Sequence, residues 1–527
     1  MIESPENAAE SIVHGCLEQL VVKDKSNDFI LEYKQILVYL LVIKHRTMSE
    51  TLKEKTARGL FWGTLNSGTT QILNLIIGVF LARILSPGDY GIVGMLAIFT
   101  AIAGNLQSSG FSNALINIKE PTHGDYNAVF WFNILTSISI YVILFFCAPL
   151  IAWFFHVPAL TNLSRFIFLT FVMSSFGIVP NVIMTKDLMI KELTISSNVA
   201  LVLSGITGIT MALMGMTYWS LAWQQLIYIT VMNIYRYYYC YWRPTWKVNF
   251  TPIKKMFAFS VKILITMILN TVNNNILTFV FGRLFTTKAV GNFSQAYKWN
   301  QMAYSLVGNT LQQVAQPVLS SLTDDTRDRE KRVFRKMMRF TAMLAFPCLF
   351  GLALISKEFI LTLLGAKWID SVLLMQILCL GGAFMPMYSL FQNLAISHQR
   401  SDTYMWCNFF QIIIQIGVIL LCYKQGIVFM VVAFSVFNVL WLSAWYLATR
   451  KLIQLSLPEI LSDTLPFMLL SALVMLCAFM VSMPFHSVAL VLIIKILVAM
   501  ILYIAVMRIF YSSIFDEVLD FFMKRKA

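Results

Sequence analysis

Long apolar stretches follow one another along the chain from residue 59 onward, separated by short polar connections. A helix of about 20 apolar residues crosses the hydrocarbon layer of a membrane, so the pattern predicts about fourteen spanning helices. These are numbered spans 1 to 14, with approximate bounds 59–84, 90–115, 128–155, 164–185, 193–215, 217–239, 256–282, 289–316, 334–356, 371–396, 403–423, 426–448, 464–483 and 487–511. The predicted fold is all-α, a polytopic membrane protein.

The chain contains an internal repeat. Shifting the sequence by 200 positions places Arg83–Gly91 on Arg283–Gly291, arginine on arginine and glycine on glycine, without a gap. The shift also places span 1 on span 7, and repeats with an even number of helices keep the same orientation in the membrane. We expect two six-helix bundles related by a pseudo-twofold axis along the membrane normal: the first repeat (spans 1–6) and the second repeat (spans 7–12). Pro180 and Pro386 lie near corresponding places in spans 4 and 10, where they predict kinks and hinges.

The predicted domain organisation follows from the spans and the repeat. It comprises an N-terminal extension (1–47), an N-lobe (48–240), a basic cytoplasmic linker (241–255), a C-lobe (256–448), spans 13 and 14 (449–511) and a basic cytoplasmic tail (512–527). The extension carries one apolar run of about nine residues, too short to cross a membrane. Two interpretations of the extension stay open: Met48 is the natural start, or residues 1–47 form a disordered cytoplasmic segment.

Composition and charge distribution agree with a membrane protein. Of 527 residues, 58% are hydrophobic and 13% charged, and the mean hydropathy is +0.71. A net charge of +14 suggests nucleic acid when it occurs in a soluble domain. Here lysine and arginine concentrate between spans 6 and 7, between spans 8 and 9, and in the tail. The positive-inside rule then predicts that both termini are cytoplasmic in an inner membrane, and no nucleic-acid partner is needed.

The sequence argues against several kinds of chemistry. No connection is long enough to form a catalytic domain, and there is no GxxxxGK[ST] loop for a nucleotide. The eight cysteines show no CxxC spacing, and the six histidines form no pair at metal-ligand spacing. We expect no catalytic residues, no metal and no cofactor, so the protein is predicted not to be an enzyme.

Polar residues recur at intervals of four in spans 1 and 7. On the 200-residue shift, Asn66, Thr70 and Asn74 lie opposite Thr266, Asn270 and Asn274. Residues four apart share a helix face. A row of amides and hydroxyls is costly against lipid, so each row should face a partner helix or a water-filled cavity. Two matching rows predict a cavity shared by the two bundles.

Span 8 places a lysine deep in the membrane. Lys298 lies about ten residues into the span, roughly 15 Å from its start. Burying a lysine there costs on the order of 2.5–3.5 kcal/mol, and intramembrane charges usually serve a function. Gln301, Ser305 and Asn309 follow on its face, which indicates a polar cavity wall that binds substrate. The alternative is a lysine that bonds to helix carbonyls.

Other charged residues have competing interpretations. Lys262 continues the polar row of span 7 toward the cytoplasm, as a substrate contact or as a side chain that reaches the interface. Lys495 lies inside span 14 without an evident partner. Arg83 and Arg283 stand at the outer ends of spans 1 and 7 and are expected to anchor them at the interface.

Carboxylates are scarce in the predicted spans. Asp89, Asp187 and Glu192 all fall at span ends or in connections. A cationic cavity without buried acids favours an anionic substrate.

Three segments resemble the Wzx-type polysaccharide flippases of the multidrug/oligosaccharidyl-lipid/polysaccharide exporter superfamily. They are Leu81–Gly91, the Gly59–Gly63 segment and the stretch Gln313–Ser320, and the resemblance covers about residues 50–525. It implies alternating-access translocation of undecaprenyl-pyrophosphate-linked oligosaccharides across the cytoplasmic membrane, for O-antigen, capsule or exopolysaccharide. Implied partners are that lipid-linked substrate, membrane lipids and a polysaccharide polymerase.

The resemblance also implies residue roles. Related lipid II flippases carry a basic cavity residue on helix 8 in a context similar to Ser294–Lys298, which gives that role to Lys298. Their helices 13 and 14 form a groove for the lipid tail, which makes Lys495 a candidate lipid-headgroup contact. The family's basic cluster on helix 1 is reduced here to Arg58 and Arg83, and Arg58 is the second candidate headgroup contact.

Two other functions remain open at this point. A drug or cation exporter of the same superfamily would need a buried acid. A membrane-embedded enzyme acting on polyprenyl-linked sugars would need an exposed acid or a histidine pair near one face.

Overall fold

The computed structural model describes residues 52–108, 111–118, 120–246, 249–322 and 327–510. The N-terminal extension, Met48 and the basic tail lie outside the described residues. So do the side chains of Arg58, Asn66, Lys262, Thr266 and Asn309, although their backbone is helical. The chain divides into two compact units, Met1–Thr64 and Leu65–Ala527, and every contact given below lies within the second.

The described residues form eighteen α-helices and no strand. They are α1 (Leu52–Ile84), α2 (Pro87–Met95), α3 (Ala97–Ser108), α4 (Phe111–Asn117), α5 (His123–Phe155), α6 (Leu160–Phe176), α7 (Ile178–Lys186), α8 (Ile190–Leu213), α9 (Trp219–Tyr239), α10 (Thr251–Leu284), α11 (Thr287–Leu322), α12 (Arg327–Phe359), α13 (Ser371–Gly382), α14 (Met385–Ser397), α15 (Ser401–Cys422), α16 (Ile427–Thr449), α17 (Leu457–Ser482) and α18 (Val488–Phe510). A π-helical turn, Ile360–Leu364, continues α12, and short 3₁₀ turns follow at Ala366–Trp368 and Tyr423–Gln425. Span 1 corresponds to α1, span 6 to α9, span 7 to α10 and span 8 to α11.

Many of these helices are long and apolar enough to cross a membrane. Within the described residues nine helices meet that requirement, or ten if α6 and α7 count as one bent span. Their length and composition confirm the predicted class, an all-α polytopic membrane protein. The expected count of fourteen spans stays a prediction.

Spans 4 and 10 are both interrupted next to the predicted prolines. Helices α6 and α7 meet at Gly177 with a bend of 42°, and Pro180 lies in the first turn of α7. Helices α13 and α14 separate just before Pro386, which lies in the first turn of α14. Proline fits a first helical turn because the amide hydrogen it lacks would have no intrahelical partner there. Both prolines therefore begin the second helix of an interrupted span.

Two equivalent glycines bring the repeats into backbone contact. A Cβ atom on Gly91 in α2 would overlap the carbonyl group of Thr287, and one on Gly291 in α11 would overlap the carbonyl group of Pro87. Only glycine allows backbones to approach this closely. The two repeats therefore touch at the end of the helices that carries Arg83 and Arg283, which we call the arginine end.

Arg83 joins the first repeat to the second. Its side chain lies in the last turn of α1 and donates hydrogen bonds to the carbonyl oxygens of Leu363, at 2.6 Å, and Thr362, at 2.5 Å. Those carbonyls belong to the π-helical turn that ends α12. A cation at the carbonyl end of a helix is stabilised by the helix dipole and by the unpaired carbonyls.

The same junction holds two further bonds. Lys367 Nζ donates to the carbonyl oxygen of Arg83 at 2.7 Å, and the indole N–H of Trp368 donates to that of Ala82 at 2.8 Å. Burial lowers the pKa of Lys367, and the nearby Asp89 carboxylate opposes that shift.

Arg283 makes the reciprocal connection. From the last turn of α10 its guanidinium donates to the carbonyl oxygen of Phe154 at 2.5 Å and contacts the ring of His156. These residues form the carbonyl end of α5, in the first repeat. Each arginine thus binds the end of a helix in the opposite repeat, a partner that the expected anchoring role does not include. We call the two contacts the arginine clasp.

Candidate functional site

Lys298 extends from α11 toward α1. Its Nζ lies 2.9 Å from the point that a Cβ atom on Gly78 would occupy, so the amine fills the space left by the missing side chain. The ring centroid of Trp299 lies 5.7 Å from the same nitrogen, within cation–π range. Among the described residues no carboxylate pairs with Lys298. This half-buried cation is therefore available to an anionic ligand.

A cavity of about 270 Å³ opens beside Lys298. The first repeat contributes its α2, α3, α6 and α9 walls, and the second contributes α11. Seven of the lining side chains carry polar groups: Tyr90, Thr100, Gln224, Gln225, Ser294, Gln295 and Lys298. The cavity is thus bordered by both repeats, as expected, through spans 2, 4, 6 and 8. Those members of the span 1 and span 7 rows whose side chains are described do not line it.

Polar side chains of span 1 contact two different neighbouring helices. The Thr70 hydroxyl donates to Asn198 Oδ1 in α8 at 3.1 Å, which is a contact inside the first repeat. Gln71, which the sequence analysis did not select, donates from Nε2 to Ser305 Oγ in α11 at 3.1 Å. Asn74 is half-buried. The structure therefore brings Lys298 and Ser305 together with span 1.

The polar row of span 7 has different neighbours from the row of span 1. Asn270 Nδ2 donates to the Tyr404 hydroxyl in α15 at 3.1 Å, and Asn274 is exposed. Next to this row, Thr271 bonds to the first repeat, since its hydroxyl accepts from Asn105 Nδ2 at 2.6 Å. The contact across the repeats thus lies one residue away from the predicted position.

Gln301 turns back along its own helix. Its Nε2 donates to the Tyr297 hydroxyl at 2.6 Å, one turn earlier in α11. One amide hydrogen of Gln301 is therefore already engaged next to Lys298, and the amide oxygen and the second hydrogen are left to bond a ligand.

Lys495 has a partner that the sequence does not reveal. Its Nζ lies 2.9 Å from Glu358 Oε1 and donates to the carbonyl oxygen of Leu354 at 3.3 Å. Only 4% of Lys495 is exposed, so this is a buried ion pair between α18 and the last turn of α12. A second cavity, of about 260 Å³, adjoins the pair. The lipid-headgroup contact expected of Lys495 stays a prediction, and its charge is balanced by Glu358 here.

Other buried acids in the described helices are also paired. Glu330, in the first turn of α12, lies 2.8 Å from His398 Nε2. Asp463 in α17 accepts from Arg335 Nε at 2.7 Å. The sequence analysis placed acids at span ends and did not identify these pairs. Lys298 differs from these cations because no described carboxylate neutralises it.

Gln224 and Gln225 are the cavity residues that the sequence analysis missed. Both lie in α9, within the apolar run Trp219–Val231. Two adjacent amides in such a run are costly in lipid, and that signal was present in the sequence. A search for polar residues spaced three or four apart does not detect this signal, because adjacent residues form no periodic row on a helix face.

The fold defines the class of protein. The structure is similar to that of the lipid II flippase MurJ in an inward closed conformation, with a TM-score of 0.71, 14% identity, and coverage of 86% of this chain and 100% of that one. This likeness shows a shared fold, and the family and relatives given next confirm the resemblance to polysaccharide flippases inferred from the sequence.

The family follows from the sequence itself. The chain belongs to the polysaccharide biosynthesis protein family, whose model matches residues 80–373, more than half of the chain. An uncharacterised membrane protein in the cps region of Klebsiella pneumoniae is 27% identical over 70% of this chain and 76% of that protein. The lipopolysaccharide biosynthesis protein WzxC of Escherichia coli K12 is 23% identical over 68% of this chain and 74% of that protein.

Proposed function

We propose that the protein is a flippase that moves undecaprenyl-pyrophosphate-linked oligosaccharides across the cytoplasmic membrane for polysaccharide biosynthesis. The observation that carries the proposal is Lys298, a cation beside a cavity bordered by both repeats and without a carboxylate partner among the described residues. Membership of a polysaccharide biosynthesis family and the fold shared with a lipid II flippase support it.

Lys298 has the chemistry that a pyrophosphate requires. A phosphate group that crosses an apolar layer needs a positive partner because its hydration is lost there. The ammonium group supplies that charge, and the adjacent hydroxyls and amides supply hydrogen bonds to the sugar. The polyprenyl tail stays in lipid throughout, so only the polar head has to enter the cavity.

The proposal includes the other predicted contacts. Lys262 is a second candidate for the pyrophosphate, and Lys495 and Arg58 are candidate headgroup contacts. Candidate contacts for the oligosaccharide are Asn66, Thr70, Asn74, Asn270, Asn274, Gln301, Ser305 and Asn309.

Alternating access gives the direction of transport. With the basic connections on the cytoplasmic side, the arginine end faces outward, and the Gly91–Gly291 contact closes that side. Substrate then enters from the cytoplasmic side, and the two lobes rock to open the arginine end. The span interruptions near Pro180 and Pro386 are the proposed hinges, and a polysaccharide polymerase is the proposed recipient of the flipped unit.

The test is complementation in the native host after deletion of the gene. Lys298→Ala and Lys298→Gln should abolish surface polysaccharide and leave the lipid-linked unit on the cytoplasmic leaflet, whereas Lys298→Arg should retain part of the activity. Membrane levels of each variant are measured with an epitope tag. If Lys298→Ala and Lys298→Arg both complement as well as the unmodified protein, the proposal is wrong. A lipid-linked sugar that is chemically altered by the purified protein in liposomes would instead indicate an enzyme.

A further inference from the structure

Two adjacent amides face the same cavity as Lys298. Gln224, which is half-buried, and Gln225, which is exposed, both lie in α9 and line the cavity of about 270 Å³ that Lys298 also lines. Within the part of the chain that the structure describes, neither side chain hydrogen-bonds to another residue. An amide inside a membrane-length helix is costly when it has no partner. A ligand with hydroxyl groups would supply the missing partners.

The side chain of Gln224 is held in position by its neighbour. A Cβ atom on Gly208, in α8, would lie 3.2 Å from Gln224 Cβ and 3.4 Å from its Cδ. The Gln224 side chain, including its amide carbon, therefore packs directly on α8 beside Gly208, and the residue lines the cavity. Such packing fixes the donor and the acceptor before a ligand arrives, which reduces the entropy lost on binding.

A third polar group completes the wall. The Thr100 hydroxyl lines the cavity and donates to the carbonyl oxygen of Ala97 at 2.9 Å, so its oxygen is left to accept a bond from a ligand. Apart from Lys298, the polar groups that line the cavity are thus uncharged donors and acceptors. That chemistry fits the hydroxyl groups of a sugar and not a second phosphate.

The volume limits what the cavity can hold. Pockets for small ligands usually measure about 300–1,000 Å³, so this cavity of about 270 Å³ falls just below that range. It has room for one sugar ring and not for a repeat unit of several sugars. The ring next to Lys298 would be the one attached directly to the pyrophosphate.

We infer that Gln224, Gln225 and Thr100 form a subsite for the first sugar of the lipid-linked substrate, the residue bonded to the pyrophosphate. This inference rests on the proposed function. The added point is that the α9 amides recognise the first sugar by hydrogen bonding. Lys298 contacts the pyrophosphate whatever sugar is attached.

The experiment compares two kinds of probe, bare and glycosylated, on the full-length protein in lipid nanodiscs. One probe is undecaprenyl pyrophosphate, and the others are undecaprenyl pyrophosphates that carry a single glucose, galactose or N-acetylglucosamine. Binding of each is measured for the unmodified protein and for Gln224→Leu, Gln225→Leu and Lys298→Gln. Gln425→Leu is the matched control, because Gln425 is an exposed glutamine in a connection outside the cavity.

At least one glycosylated probe should bind the unmodified protein more tightly than the bare one. Gln224→Leu and Gln225→Leu should each weaken that probe about 2- to 10-fold, the range expected for one hydrogen bond, and leave the bare probe unchanged. Gln425→Leu should change neither. Gln224→Asn keeps an amide but withdraws it by one methylene. It should therefore weaken binding of the glycosylated probe less than Gln224→Leu does, and leave binding of the bare probe unchanged.

The outcomes separate the two proposals. If the leucine variants weaken bare and glycosylated probes equally, or change neither, the sugar subsite is wrong even when Lys298→Gln abolishes both. If Lys298→Gln leaves the bare probe unaffected while the leucine variants remain selective, the pyrophosphate contact fails and the subsite stands. A leucine variant that does not fold is replaced by Gln224→Asn, for which an unchanged preference between probes counts against the inference.

Discussion

The arginine clasp should hold the arginine end closed, and its removal should open that end. Arg83 binds the carbonyl end of α12 with two hydrogen bonds, at 2.6 Å and 2.5 Å, and Arg283 binds the end of α5 at 2.5 Å. Both contacts join the first repeat to the second, so both must break when the repeats separate there. Arg83→Gln and Arg283→Gln keep a polar side chain but remove the charge and the forked geometry.

The size of the effect follows from these bonds. A hydrogen bond that involves a charged group contributes about 1.5–3 kcal/mol when shielded from water. The Arg83 side chain is exposed, so water competes for its bonds, and we expect about 1–2 kcal/mol for the whole side chain. That energy corresponds to a factor of about 5–30 in the ratio of closed to open molecules. If the two contacts are independent, the double variant should shift the ratio by the product of both factors.

Spin labels at the arginine end measure this ratio. Pro158 and Ile369 are exposed, lie in connections of opposite repeats, and can carry labels after substitution by cysteine in a cysteine-free background. Electron–electron distance measurements in nanodiscs should give one short distance for the unmodified protein. Each arginine variant should add a longer population, and the double variant should make it dominant.

Arg165 provides the matched control. Its Nε donates to the carbonyl oxygen of Phe145 at 3.3 Å, and its guanidinium lies 4.3 Å from the Phe145 ring centroid. Both contacts stay within the first repeat, so Arg165→Gln should leave the distance distribution unchanged. If Arg83→Gln and Arg283→Gln give the same distribution as Arg165→Gln, the clasp does not control closure and the reasoning is refuted.

Two further changes test the surroundings of the buried charges. Gly78→Ala should push the amine of Lys298 aside and reduce complementation. Gly68→Ala in the same helix should have no effect, because no atom of the described residues lies within 4 Å of its Cβ position; equal activity of the two variants would contradict the proposed position of Lys298. Lys495→Met should lower the free energy of unfolding by about 3–5 kcal/mol because it leaves a buried carboxylate unpaired, and the added change Glu358→Gln should restore most of that loss in thermal unfolding. A double variant no more stable than Lys495→Met would mean that the pair is not the source of the effect.

Features that depend on one stretch of sequence were predictable. A spanning helix requires only length and apolar composition, so the helical bundle follows from the hydropathy pattern. Lys298 could be selected as a candidate because a charge in the middle of an apolar run is visible in that run alone. The interruptions near Pro180 and Pro386 were found because proline changes backbone bonding wherever it occurs.

Features that depend on distant partners were not predictable. Glu358 lies 137 residues before Lys495, and the carbonyls bound by Arg83 belong to a turn that follows 280 residues later. Hydropathy does not reveal which distant helix end meets which side chain, so the sequence could give Lys495 no partner. The wall formed by Gln224 and Gln225 was missed for a related reason, since the face that α9 turns to the cavity depends on its neighbours.

Equivalent residues of the two repeats contact each other in the structure. Gly91 and Gly291 contact each other: a Cβ atom on either would lie 3.1 Å from the backbone nitrogen of the other. A residue that touches its own counterpart must lie close to the axis that relates the two repeats. Arg83 and Arg283 lie farther out, and each reaches the end of a third helix, span 9 or span 3, in the opposite repeat. This reciprocity supports the predicted pair of six-helix lobes, and it requires that any motion that opens the arginine end must first separate the glycine pair.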